Sequence, residues 1–262
     1  MKTLVLDLDG TMYRGPEPIE AGIRLVKAMR SHGVPYLFLT NNSMRTPAQN
    51  AEHMQRMGYE GVCPEHFYNS AMASAAWARQ QLNTQRAAFI GQAGMKEAME
   101  EEGIEITDQD PQALFVGLDK TMDYAGYSRA LGHLLKGATL IGTNKDRILA
   151  KPGGFEVGNG SVVALFEYAS GQKSPDIAKP YAPILDLMLQ KHGLSRQDVI
   201  LVGENLETDI ALGYNNHVKT VLVESGVHTR EDIDRLGVIP DQVIGSLDEL
   251  TAMIEDGSFA RL

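Results

Sequence analysis

Residues 2–11 read KTLVLDLDGT, an apolar run that closes on two aspartates, a glycine and a threonine. Val5 and Leu6 have the character of a buried strand, yet Asp7 and Asp9 stand within and just beyond it. In an extended chain, side chains two residues apart point to the same side, so both carboxylates share one face. Beside an apolar core such a pair raises the free energy unless a cation or a cage of hydrogen bonds offsets it.

Outward from this stretch the chain alternates strand and helix. IEAGIRLVKAMRSHG (19–33) is an amphipathic helix ending at Gly33, VPYLFLT (34–40) a second buried strand, and TPAQNAEHMQRMG (46–58) a helix with Pro47 near its first turn. Strands joined by helix-length crossovers imply a parallel sheet. FYN (67–69) is a short third strand, and SAMASAAWARQQL (70–82) a helix.

The middle of the chain differs. AAFIG (87–91), EITD (105–108), ALFVG (113–117) and ATLIGTN (138–144) are short strands, separated by turns, by the acidic helix MKEAMEEEG (95–103) and by a helix over 124–135. AKPGGFEVGNG (150–160) reads as a glycine-rich loop before the helix SVVALFEYASG (161–171). The first rhythm then resumes: a helix at 181–193, the strand DVILVG (198–203), a helix over ETDIALGYNNH (207–217), the strand KTVLV (219–223) and a last helix at 246–257. The expected fold class is α/β, a doubly wound parallel sheet with an inserted α/β domain. Residues 1–82 and 178–262 form the discontinuous core, and residues 83–177 form the insert.

In open parallel sheets ligands bind at the carboxyl ends of the strands. Asp7, Asp9, Gly10 and Thr11 follow the first strand, and Thr40, Asn41, Asn42 and Ser43 follow the second. Glu204, Asn205 and Asp209 follow DVILVG, and Lys179 precedes the helix leading into it. Four carboxylates, a hydroxyl-rich turn and one lysine thus converge on one end of the sheet. Carboxylates that close repel unless a hard cation sits among them, and Mg²⁺ accepts oxygen ligands octahedrally. Carboxylate nucleophile, metal, hydroxyl and amide cradle, and lysine together suit phosphoryl transfer.

DLDGT, LTNNS, AKP and GENLETD resemble, in order and spacing, the four motifs of the haloacid dehalogenase superfamily of phosphatases. With GTNKD and GNGSVVALFE, the insert is similar to the large cap of the subfamily that includes NagD and the 4-nitrophenylphosphatases. The resemblance implies that Asp7 attacks phosphorus and forms an aspartyl-phosphate, while Asp9 serves as acid and then base. It implies phosphate binding by Thr40, Asn41, Asn42 and Lys179, and Mg²⁺ held by Asp7, Asp9 and Glu204 with Asp209 in support. Asn144 and Asp146, at the end of a cap strand, are candidate substrate contacts. One departure stands out: the family's fourth motif usually reads GDN, whereas Gly203-Glu204-Asn205 carries a longer acid, displaced by about 1.5 Å. A milder one is Ala178, where a glycine often precedes the lysine.

The expected activity is Mg²⁺-dependent hydrolysis of small phosphomonoesters of the sugar phosphate, nucleotide or 4-nitrophenyl phosphate type. The alternatives are a phosphotransferase or mutase using the same intermediate, and a non-enzymatic phospho-acceptor module. A chloride-releasing dehalogenase needs neither Asp9 nor a metal. The net charge of −10 argues against nucleic acid as partner. No apolar run is long enough to span a bilayer. With Cys63 as the single cysteine and no leader-like start, a cytoplasmic location is expected. A homodimer stays open, because caps of this type often pair. Gly158-Asn159-Gly160 hints at a phosphate loop but lacks the lysine of one, so a tight loop is the better reading.

Overall fold

A computed structural model of the chain describes residues 2–151 and 153–261. Two compact units divide it: Met1–Thr40, Pro47–Tyr68 and Lys179–Leu262 form the first, Asn41–Thr46 and Asn69–Ala178 the second.

The first unit is built on a six-stranded sheet. Its order is Gln242–Ile244, Lys219–Val223, Val199–Gly203, Thr3–Leu6, Tyr36–Thr40 and Phe67–Asn69. The pairings from Gln242–Ile244 through Tyr36–Thr40 are all parallel. Thr3–Leu6, Tyr36–Thr40 and Val199–Gly203 are buried at every position. That continuous apolar character belongs to parallel strands covered by helices on both faces. The register aligns Leu6 with Val202 on one side and Phe38 on the other. Asp7 and Glu204 therefore lie just past, and Thr40 at, the same end of three adjacent strands. Helix Glu20–His32 packs on helix Leu247–Glu255, and it stops at Gly33, whose φ of 68° suits a residue without Cβ. Leu25, Met29, Phe38, Val202 and Leu250 join one core.

The second unit carries its own parallel sheet, ordered Glu105–Ile106, Arg86–Ile90, Ala113–Val116 and Thr139–Gly142. Helices Tyr124–Leu135 and Asn159–Ser170 close a core around Ile90, Leu114, Val116, Leu140 and Phe166. Helix Ser70–Leu82, which the sequence puts with the flanking core, groups here, because it packs against helix Ala93–Glu101.

Several local expectations change. Where a glycine-rich loop was expected, Ile148–Lys151 and Gly154–Val157 pair as an antiparallel hairpin. The glycines supply its turn, with φ of 80° at Gly153 and 156° at Gly154; Pro152 lies outside the described residues. The helix expected over 207–217 begins as a π-helical turn, Leu206–Ile210, before Ala211–Asn216 continues as α-helix. Asp209 and Ile210 both donate their N–H to Asn205 O, at 3.0 and 3.1 Å, which sets the wider turn. A short hairpin, Tyr13–Arg14 with Glu17–Pro18, and the edge strand Gln242–Ile244 carry too few residues to show a period. Among the described residues no helix is long and apolar enough to cross a membrane.

Candidate active site

Asp7 leaves strand Thr3–Leu6 with its N–H still donating to Val202 O at 2.9 Å, so the sheet ladder fixes its backbone. Lys179 reaches it from the start of the third chain segment. Its Nζ lies 2.6 Å from Asp7 Oδ1, 2.7 Å from Asp209 Oδ1 and 2.9 Å from Leu39 O. The ammonium is thus held between two carboxylates and a main-chain carbonyl. Thr11 Oγ1 donates to Asp7 Oδ2 at 3.2 Å, which makes the threonine of DLDGT a working part of the site. Asp209 completes its contacts by accepting the Asn205 N–H on Oδ2 at 3.2 Å.

Gly203 explains the first letter of the GEN motif. A Cβ there would overlap the Asp209 side chain, so only glycine lets the strand end and the π-helical turn close on each other. Glu204 is buried, and its carboxylate accepts the Val227 N–H. It also lies against Gly10, where an added Cβ would stand 2.8 Å from Oε1. The methylene that distinguishes glutamate from aspartate is thus accommodated between two glycines, Gly10 and Gly226.

The electrostatics show too few cations for the acids present. Burial, then the charge of Asp209, hold the Asp7 carboxyl well above the usual carboxylate range, and Lys179 only partly opposes them. Burial pushes Glu204 up to about 7, against the pull of the Val227 amide. Burial alone would lower Lys179, yet Asp209 and Asp7 together raise it, so the ammonium stays charged. One lysine serves two touching carboxylates, while Asp9 adds further negative charge to Asp7 and Asp209 adds to Glu204. Among the described residues no three His, Cys, Asp or Glu side chains stand ready as a metal cage. The donor set nevertheless fits a hard divalent cation such as Mg²⁺, because every group is an oxygen and negative charge is in excess. Asp7, Asp9 and Glu204, with Asp209 in support, are the residues that the sequence nominates to hold it.

The second unit gathers the other candidates. Asn41 O accepts from Ser70 Oγ at 2.6 Å and from Asn144 Nδ2 at 2.8 Å. Asn41 Nδ2 donates to both oxygens of Asp146, at 3.2 and 3.3 Å. Asn144 Oδ1 accepts the Asp146 N–H at 3.1 Å, so both polar ends of the Asn144 side chain are engaged. Asn42 Oδ1 accepts the Met44 N–H at 3.0 Å and stabilises the turn. Gly158 and Gly160 are glycines for packing, since a Cβ at either would overlap the backbone of residues 145–147.

Sequence reasoning singled out Asp7, Lys179 and Asp209, which the structure joins directly. It passed over Ser70, Gly226 and Val227. The last two lie 22 and 23 positions from Glu204 in a stretch without a motif, and Ser70 reads only as the start of a helix.

Two family models match the chain. One, described as haloacid dehalogenase-like hydrolase, covers residues 4–105, and one of the same hydrolase type covers residues 176–250. The chain is 33% identical to the 5'-nucleotidase YutF of Bacillus subtilis across 95% of its own length and 96% of that protein. It is 32% identical to an acid sugar phosphatase of Staphylococcus aureus, covering 97% and 98%. Its fold superimposes on the p-nitrophenyl phosphatase from Archaeoglobus fulgidus with a TM-score of 0.86 at 30% identity, over 97% of this chain and 98% of that one.

Proposed function

The chain belongs to the haloacid dehalogenase-like hydrolases, among those of the NagD and p-nitrophenyl phosphatase type, and on that premise we propose that it hydrolyses small phosphomonoesters through an aspartyl-phosphate on Asp7, with Mg²⁺ as cofactor. The observation that carries the reading is the shared lysine. Lys179 binds Asp7 and Asp209 at once, out of water, beside a third buried acid. Such an arrangement suits a site that receives a dianionic phosphoryl group together with a cation.

In this mechanism Thr40, Asn41, Asn42 and Lys179 hold the phosphoryl oxygens and aim phosphorus at Asp7. A carboxylate oxygen of Asp7 forms a bond to phosphorus as the ester P–O bond breaks, and Asp9 gives its proton to the leaving alkoxide. A water molecule then attacks the aspartyl-phosphate, Asp9 takes its proton, and inorganic phosphate leaves with Asp7 restored. Thr11 and Lys179 keep the Asp7 side chain oriented throughout. Bound Mg²⁺ would neutralise charge between the acids and the incoming phosphate.

We assign residues 1–82 and 178–262 to the catalytic core and residues 83–177 to a cap, with helix Ser70–Leu82 packing on the cap side of that boundary. Of the two candidate cap contacts, Asp146 is the one we assign to substrate, since a carboxylate can accept from a substrate hydroxyl while keeping its contact with Asn41 Nδ2. A carboxylate there suits leaving groups rich in hydroxyls, as sugars and nucleosides are. The test is phosphate release from 4-nitrophenyl phosphate. We expect turnover with Mg²⁺, none with EDTA, and none in Asp7→Asn; turnover that survives in Asp7→Asn would refute the nucleophile.

A further inference from the structure

Glu204 is gripped more closely than a cation ligand needs to be. Val227 N–H donates to Oε2, and His228 N–H donates to the Glu204 carbonyl at 3.3 Å, so residues 226–228 wrap the residue from side chain to backbone. At Gly226 there is no room for a Cβ, because Oε2, Cδ and Cβ of Glu204 occupy that space. Oε1 lies on the opposite side, against Gly10 in the turn that follows Asp7 and Asp9. One carboxylate oxygen is therefore committed to a backbone amide, and the other lies against Gly10, the residue after Asp9.

We infer that the Gly226–Val227 peptide sets the cation selectivity of this site, by leaving Glu204 a single oxygen to offer. The inference rests on the phosphatase reading and deepens it. Mg²⁺ takes six ligands in near-ideal octahedral geometry and is served by single oxygens. Ca²⁺ takes six to eight and gains from carboxylates that bind through both oxygens. Tying Oε2 to an amide withholds that second oxygen from the larger ion and costs the smaller one nothing. A glutamate in this position, longer and freer than aspartate, would otherwise be able to swing into a two-oxygen mode. Val227 acts here only through its amide, since its side chain is mostly exposed.

The test is calorimetric titration of Mg²⁺ and Ca²⁺ into metal-free protein, for wild type, Val227→Pro, Gly226→Ala and Val227→Ala. Proline at 227 removes the N–H, and the glycine before it tolerates the restriction that proline imposes. Alanine at 226 pushes the carboxylate off the amide. A hydrogen bond to a charged group contributes about 1.5–3 kcal/mol. We therefore expect the preference for Mg²⁺ over Ca²⁺ to fall about tenfold or more in both variants, chiefly through tighter Ca²⁺, and to be kept in Val227→Ala. Loss of both affinities in parallel, with the ratio unchanged, is damage to the fold and overturns the inference. Should neither variant fold, amide exchange in the Mg²⁺-loaded wild type decides: a protected Val227 amide supports it and a freely exchanging one overturns it. A wild type that binds no divalent ion overturns the phosphatase reading itself, whereas Mg²⁺ binding with unaltered ratios sinks only this inference.

Discussion

Lys179 Nζ stands 2.6 Å from Asp7 Oδ1 while only 4% of its side chain meets solvent, so this ion pair is not screened by water. The same ammonium is 2.7 Å from Asp209, whose side chain is 5% exposed. Removing the lysine leaves two adjacent buried carboxylates without their common partner. Breaking a buried pair in this way costs about 3–5 kcal/mol. Lys179→Met should therefore lower the midpoint of urea unfolding in metal-free protein and reduce turnover at least about 100-fold. Unchanged stability would show that the pair is more hydrated than its burial indicates.

How far the site was legible in the sequence depends on what each residue needed. Asp7, Glu204 and Asp209 follow strands whose apolar runs are unmistakable, and Lys179 follows from motif order, so their meeting at one sheet end could be anticipated. Gly203 was legible as a letter of a motif but not as a packing requirement, because its neighbour Asp209 lies on a turn whose π-helical form has no sequence signature. The Val227 amide was invisible, since a backbone donor leaves no trace in residue type. The hairpin at 148–157 was hidden by its glycines, which read as loop although they supply the turn.

Gly94 tests whether the loop after Thr40 is built by the second unit. Its N–H donates to Met44 O at 3.0 Å, and a Cβ there would stand 2.5 Å from the carbonyl oxygens of both Ser43 and Arg45. Backbone cannot swing aside as a side chain can. Gly94→Ala should destabilise the protein by about 1–3 kcal/mol and weaken inhibition by inorganic phosphate. Phosphate inhibition at wild-type strength, in a folded variant, would detach this contact from phosphate binding.

Asn144 makes a related claim by a different route. Its Nδ2 holds Asn41 O alongside Ser70 Oγ, and its Oδ1 holds the Asp146 N–H, so an alanine removes two hydrogen bonds from this turn. The expected cost is about 0.5–1.5 kcal/mol for each hydrogen bond removed. Because the peptide it steadies follows Thr40, Asn144→Ala should raise KM for every phosphomonoester tested by a similar factor. Asp146→Asn should instead change the ranking among leaving groups. A substrate-dependent effect of Asn144→Ala would return that residue to direct substrate contact.

Glu204 gives the protein a pH dependence whose sign is opposite to that of an ordinary salt-bridged acid. Its folded pKa of about 7 lies above the 4.5 of an unperturbed glutamate, chiefly through burial. Between those values the folded chain holds a proton that the unfolded chain has released, so stability falls as pH rises. The contribution is complete below about pH 4.5 and is lost as pH passes through 7. Asp7, also raised by burial, extends the loss further upward. A cation that binds the ionised acids reverses this penalty, and does so more where the acids would otherwise have to charge unaided. Differential scanning fluorimetry should thus show the metal-free protein losing thermal stability from pH 5 to 8, with a shallower slope in Glu204→Gln. The increase in Tm on adding Mg²⁺ should be larger at pH 8 than at pH 5.5, and an increase that is equal or smaller at pH 8 would mean that Glu204 is not ionised for the metal.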